Sequence, residues 1–183
     1  LPVNITTAFR PEPGVPIGPA VTQGFDLFLE DIIFLDEQPN ALGNLSADDG
    51  PYEARAWVTV VQRYTVGEKE VATGGGFLIA RHFMPGYGEV QVTDQAADNY
   101  VSISSNNPHV VFAPAEMSMT GMHGGFRGAQ PAAGYRVREG TLKQGDVVTF
   151  TYGDTSKGTR GFQMGQASTD FLPMPIYVLF AGS

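Results

Sequence analysis

From residue 54 onward, apolar side chains recur at every second position rather than every third or fourth. The runs are 57–66, closed by Gly67, then 76–83, 89–93, 100–104, 109–112, 135–138, 147–152, 161–164 and 176–180. A period of two sends successive side chains to opposite faces of a strand. When one of those faces is apolar, it must be buried against a second layer. The pattern therefore predicts an all-β protein, a two-sheet antiparallel β-sandwich of Ig-like or jelly-roll-like type. Only 25–35 is ambiguous. Its apolar positions 25, 28, 29, 32 and 35 fit helical spacing, but its Phe and Ile content suits a strand, and the β character downstream favours the strand. No self-similarity at 20–50 residues is visible, which argues against a solenoid or propeller.

Residues 1–24 read differently. Pro2, Pro11, Pro13, Pro16 and Pro19 fix φ and remove backbone donors, so this segment is expected to be an extended arm rather than a helix or central strand. The predicted organisation is an arm over 1–24 and a sandwich over 25–183. Such an arm can lie along its own domain or add to a neighbour's sheet edge. Turn residues make 38–51 a loop, and the glycine-rich stretch 121–134 reads as another. At 153–159 a hairpin turn is expected, with Gly and Asp supplying positive φ.

Composition narrows the partners. The chain of 183 residues carries a net charge of −8, which disfavours nucleic-acid phosphates and anionic membrane surfaces. With 23 Gly, 13 Pro and only 16% charged residues, long helices are disfavoured as well. No apolar run approaches the roughly 18 residues of a membrane span. No basic segment leads into an apolar run, and the first residue is Leu1, as in a processed or trimmed chain. The absence of cysteine excludes disulfides and thiolate metal sites, and is compatible with a secreted or periplasmic protein. Asn4-Ile5-Thr6 and Asn44-Leu45-Ser46 match the N-glycosylation pattern, which matters only in a eukaryotic secretory context.

Catalytic signals are thin, and no catalytic residue is assigned. There is no G-x-S-x-G elbow, and His123-Gly124-Gly125-Phe126 without one reads as a flexible loop. The three histidines, His82, His109 and His123, stand far apart with no metal-binding spacing. Calcium accepts carboxylates from loops, so Asp48 with Asp49 and Asp94 with Asp98 are the candidate calcium ligands, although each pair also suits a turn and none has EF-hand spacing. Asp26, Glu30, Asp31 and Asp36 form a further acidic cluster. For a glycan, stacking aromatics in loops are the candidates, namely Tyr87 and Phe126. Trp57 and Tyr100 lie inside alternating runs and are expected to be buried.

Two stretches carry a family resemblance. Residues 91–102 (QVTDQAADNYVS) and 142–154 (LKQGDVVTFTYGD), continuing to Gly161-Phe162-Gln163-Met164-Gly165-Gln166, resemble the N-terminal region of large bacterial proteins whose C-terminal portion looks like a PHP-type metal-dependent phosphoesterase. The similarity runs in order over about residues 55–183. Gln95 replaces the second Asp of the family's T-D-D motif, Ala96 its proline, and Lys157 interrupts the second glycine cluster. The resemblance implies an accessory β-sandwich joined to a catalytic region whose His and Asp motifs have no counterpart here. The expectation is a non-catalytic accessory or assembly module of an extracytoplasmic protein. It would pack on a hydrolase-like domain, another protomer or a glycan. A stand-alone metal-assisted hydrolase using His82, His109, His123 and nearby aspartates, and a self-assembling surface or filament subunit, are the alternatives.

Overall fold

The computed structural model describes residues 2–4, 26–28, 41–48, 50–79, 87–119, 130–168, 172 and 174–180, and among them there is no helix. In chain order the strands are β1 (Pro2–Asn4), β2 (Asp26–Phe28), β3 (Asn44–Ala47), β4 (Trp57–Val58), β5 (Val60–Thr65), β6 (Val71–Ala72) and β7 (Gly76–Ile79). They continue as β8 (Val101–Ser105), β9 (Val111–Met119), β10 (Gln130–Glu139), β11 (Thr141–Leu142), β12 (Val147–Tyr152), β13 (Phe162–Gln163) and β14 (Ile176–Leu179). The chain divides into two units, 1–42 and 43–183. In the first, β1 pairs antiparallel with β2, Val3 opposite Leu27. The rest of the proline-rich arm and of 25–35 lies outside the described residues.

In the second unit, two four-stranded antiparallel sheets run in the orders β3-β5-β12-β8 and β14-β7-β10-β9. Alternation explains why they face each other. Val60, Gln62 and Tyr64 of β5 and Val148, Phe150 and Tyr152 of β12 all point inward, while their sequence neighbours do not. Phe77 of β7, fully buried, meets the ring of Tyr64 at 5.7 Å and that of Phe150 at 5.3 Å, both edge-on. These contacts cross from one sheet to the other, so the molecule is a β-sandwich as the alternation predicts. Edge-to-face pairs contribute about 0.5–1.5 kcal/mol beyond the area they bury. The buried Tyr135 hydroxyl of β10 also crosses the gap, donating to the Val101 carbonyl of β8 at 2.6 Å.

Not every predicted run is a strand. Residues 89–93 form only an isolated bridge, Gln91 to Tyr100. The Gln91 side chain takes over the local backbone bonds: its Oε1 accepts from the amides of Thr93 (3.0 Å) and Asp94 (2.9 Å), and its Nε2 donates to the Asp94 carbonyl at 2.7 Å. Val92 is nonetheless buried, which is why the segment alternates like a strand. The run 57–66 is cut at Thr59, whose hydroxyl donates to the Gly153 carbonyl at 3.0 Å; β4 pairs with β13 and β5 with β3 and β12. The glycine-rich stretch is shorter than expected, because β10 already begins at Gln130. Nor is 153–159 a hairpin, since β13 pairs with β4 rather than β12. There Gly153 and Gly158 take positive φ, and Asp154 does not.

Tyr152 is completely buried, and its hydroxyl finds no hydrogen-bond partner among the described residues. Burial raises its pKa. An unsatisfied buried hydroxyl costs about 1–3 kcal/mol. Tyr152→Phe is therefore expected to leave stability unchanged or raise it by about 1 kcal/mol, as read by urea unfolding. A loss of stability would mean that the hydroxyl has a partner.

Candidate binding cleft

The apolar set of β5 has one polar member. Gln62 points inward between Val60 and Tyr64, lies opposite Phe150 in the β12 register, and is only 5% exposed. Its amide nitrogen donates to the Met174 carbonyl, just ahead of β14, at 2.9 Å. Gln62 thereby links the β5 side of one sheet to the edge strand of the other. Its Oε1 is buried and has no hydrogen-bond partner among the described residues.

Beside this residue opens a cleft of about 560 Å³, within the roughly 300–1,000 Å³ of small-ligand sites. One wall is the loop 50–54, with Tyr52 and Glu53; the other carries Met164, Leu172 and Met174; Tyr87 also lines the cleft. The walls are tied together. Arg55 and Met164 donate backbone bonds to Gly165 and Ala56 at 2.9 and 2.8 Å, and Gly88 donates to Gln163 at 3.0 Å. Tyr52 donates to the Asp48 carbonyl at 3.3 Å. Tyr87 packs on Phe162 with ring centroids 6.1 Å apart, and a Cβ at Gly165 would stand 2.9 Å from its ring. A side chain at Gly165 would have to displace that ring. Partial burial pushes the Tyr87 phenol up.

The sequence-derived candidates are scattered through the fold. Tyr87 is in the cleft, half-buried rather than displayed on a loop. Asp48 lies at its rim, where Arg63 holds the carboxylate at 2.6 Å. Asp49, Phe126, His82 and His123 lie outside the described residues. His109 is exposed in the turn before β9. Asp94 caps its own turn, accepting from the Ala96 amide at 2.9 Å. Asp98 accepts from the Arg160 backbone amide at 2.9 Å and from Arg160 Nε at 2.8 Å. Among the described residues no three His, Asp or Glu side chains come together as a metal-binding group. Tyr100 is buried as expected, but Trp57 is only half-buried. The Arg160 guanidinium covers its ring at 3.9 Å from the centroid.

Asp98, Arg160 and Trp57 thus form one stack. Arg160, chiefly through its side-chain hydrogen bond, holds the Asp98 carboxyl below its ordinary value near 3.8. A carboxylate with a lowered folded-state pKa contributes stability that is complete above the ordinary value and fades as pH falls through the folded one. We expect the emission of Trp57, the sole tryptophan, to change below about pH 3.8 as Arg160 loses its anchor. Asp98→Asn should abolish that step, and an identical step in the variant would refute the link.

Sequence reading missed Gln62, Tyr52, Met164 and Met174. Gln62 had a signal, a polar residue in the inward phase of an apolar strand. The others come from loops whose convergence depends on the tertiary fold.

No family model and no curated protein matches this chain. Among solved structures, it is similar to a CBM3a-L domain with flanking linkers from scaffoldin cipA of the cellulosome of Clostridium thermocellum. That alignment covers 78% of this chain and 88% of the other, at 12% identity and a TM-score of 0.32.

Proposed function

We propose that this β-sandwich is a non-catalytic binding module of an extracytoplasmic protein and that its cleft takes a glycan. The observation that carries the reading is the cleft itself. Tyr52 and Tyr87 offer ring surface, Met164, Leu172 and Met174 offer apolar contact, and Gln62 and Glu53 offer polar atoms. A sugar presents the same mixture, an apolar ring face edged by hydroxyls, and tyrosine serves both with little entropy to lose. The likeness of 91–102, 142–154 and 161–166 to the region preceding a PHP-type phosphoesterase supports an accessory role, with the sandwich delivering a larger enzyme to its substrate.

Those motif residues act structurally here. Asp98 and Asn99 dock the second stretch onto the first: Asn99 Oδ1 accepts from the Gln163 amide at 2.9 Å, and the Asn99 amide donates to Gly161 at 2.9 Å. Calorimetry against a panel of soluble oligosaccharides tests the reading. Wild type should bind at least one, and Tyr87→Ala should weaken that binding roughly two- to tenfold, as expected from losing about 0.5–1.5 kcal/mol of ring contact. Tyr87→Phe should retain most of it. No binding to any glycan would overturn the proposal.

A further inference from the structure

Resting on the glycan reading, we infer that the cleft selects neutral sugars and that Gln62 anchors them, accepting a hydrogen bond from a ligand hydroxyl. Three observations lead there. The ionisable side chains lining the cleft are the carboxylates of Asp48 and Glu53 and the two phenols, with no Lys, Arg or His among the lining residues. Arg63 is engaged with Asp48 at 2.6 Å, which offsets that carboxylate, and among the described residues Glu53 makes no ion pair. The chain as a whole carries −8. A uronic acid or sulfated sugar would meet this field without a counter-charge, and such an unpaired approach costs affinity.

The positive side of the selection is Gln62. One Nε2 hydrogen goes to Met174 and the unmet group is the Oε1 acceptor; a buried acceptor left unsatisfied is a standing cost that a donating hydroxyl removes. Neutral and acidic sugars alike carry such hydroxyls, so Gln62 anchors the ligand while the discrimination against the acid comes from the carboxylates of the cleft.

The experiment is calorimetry on the full chain with neutral hexaoses of glucose, mannose and xylose, with hexagalacturonate, and with tetramethylammonium as a cationic probe. Binding of a neutral hexaose with hexagalacturonate at least tenfold weaker supports the inference. Gln62→Met, nearly isosteric, should then weaken the neutral ligand about tenfold, with circular dichroism confirming the fold. Glu53→Gln should raise hexagalacturonate affinity relative to that of the neutral sugar by about threefold or more; this variant keeps the test open if Gln62→Met does not fold. Equal or tighter binding of hexagalacturonate, or unchanged neutral binding in a folded Gln62→Met, overturns the inference while the glycan reading stands. Binding of tetramethylammonium alone, or of nothing, overturns both.

Discussion

Phe77→Ala is expected to destabilise the sandwich by about 3–5 kcal/mol, the usual cost of emptying a fully buried phenylalanine site. Phe77 has no exposed surface and touches the rings of Tyr64, Phe112 and Phe150 at 5.7, 6.2 and 5.3 Å. Those rings come from three other strands and from both sheets, so none can move into the space without leaving its own ladder. The cavity therefore stays largely open, which places the cost at the upper end. For a domain of this size the midpoint should fall by roughly 6–20 °C. Phe77→Leu should lose much less, because it fills most of the volume. Equal losses in the two variants would mean that this ring is not the pivot between the sheets.

The second large effect is at Gly153, where β12 ends. Its φ is +67°, and a Cβ there would stand 2.1 Å from the Phe162 amide nitrogen and 2.6 Å from the Val58 carbonyl oxygen. Both neighbours are backbone, held in the β4–β13 ladder through Phe162 and Val58, so they cannot yield as a side chain would. Gly153→Ala combines left-handed strain of about 1–2 kcal/mol with overpacking of about 1–3 kcal/mol. The expected loss is about 2–5 kcal/mol, measured by denaturant unfolding. At Gly145 the φ is also positive, +86°, but nothing lies within 4 Å. Gly145→Ala should therefore show the strain alone, about 1–2 kcal/mol, and the difference between the two isolates the collision.

The layers of this fold were readable because burial acts on every second residue. The inward sets of β5 and β12 follow directly from their alternation, and β7, β8, β10 and β14 each coincide with part of a predicted run. The reading fails where side chains replace backbone partners. Gln91 satisfies the amides that a strand at 89–93 would have paired, and Val92 is buried without a ladder. It fails again where distant residues meet: Trp57 alternates like a core residue, yet the partner over its ring is Arg160, about a hundred positions away. The cleft shows both sides of this. Tyr87 was legible as a ring in a turn, and Gln62 could have been noticed as a polar residue on an apolar face. That loops 50–54, 87–90 and 164–168 converge around them, with Leu172 and Met174, depends on backbone bonds such as Arg55 to Gly165, which no local pattern encodes.

The most direct test is to titrate the isotope-labelled protein with whichever neutral oligosaccharide it binds and to follow the backbone amide spectrum. Shifts confined to 50–54, Gln62, Tyr87 and 164–168 are the expected result. Shifts centred on β8 and β9, with those cleft amides unmoved, would contradict the assignment of the cleft.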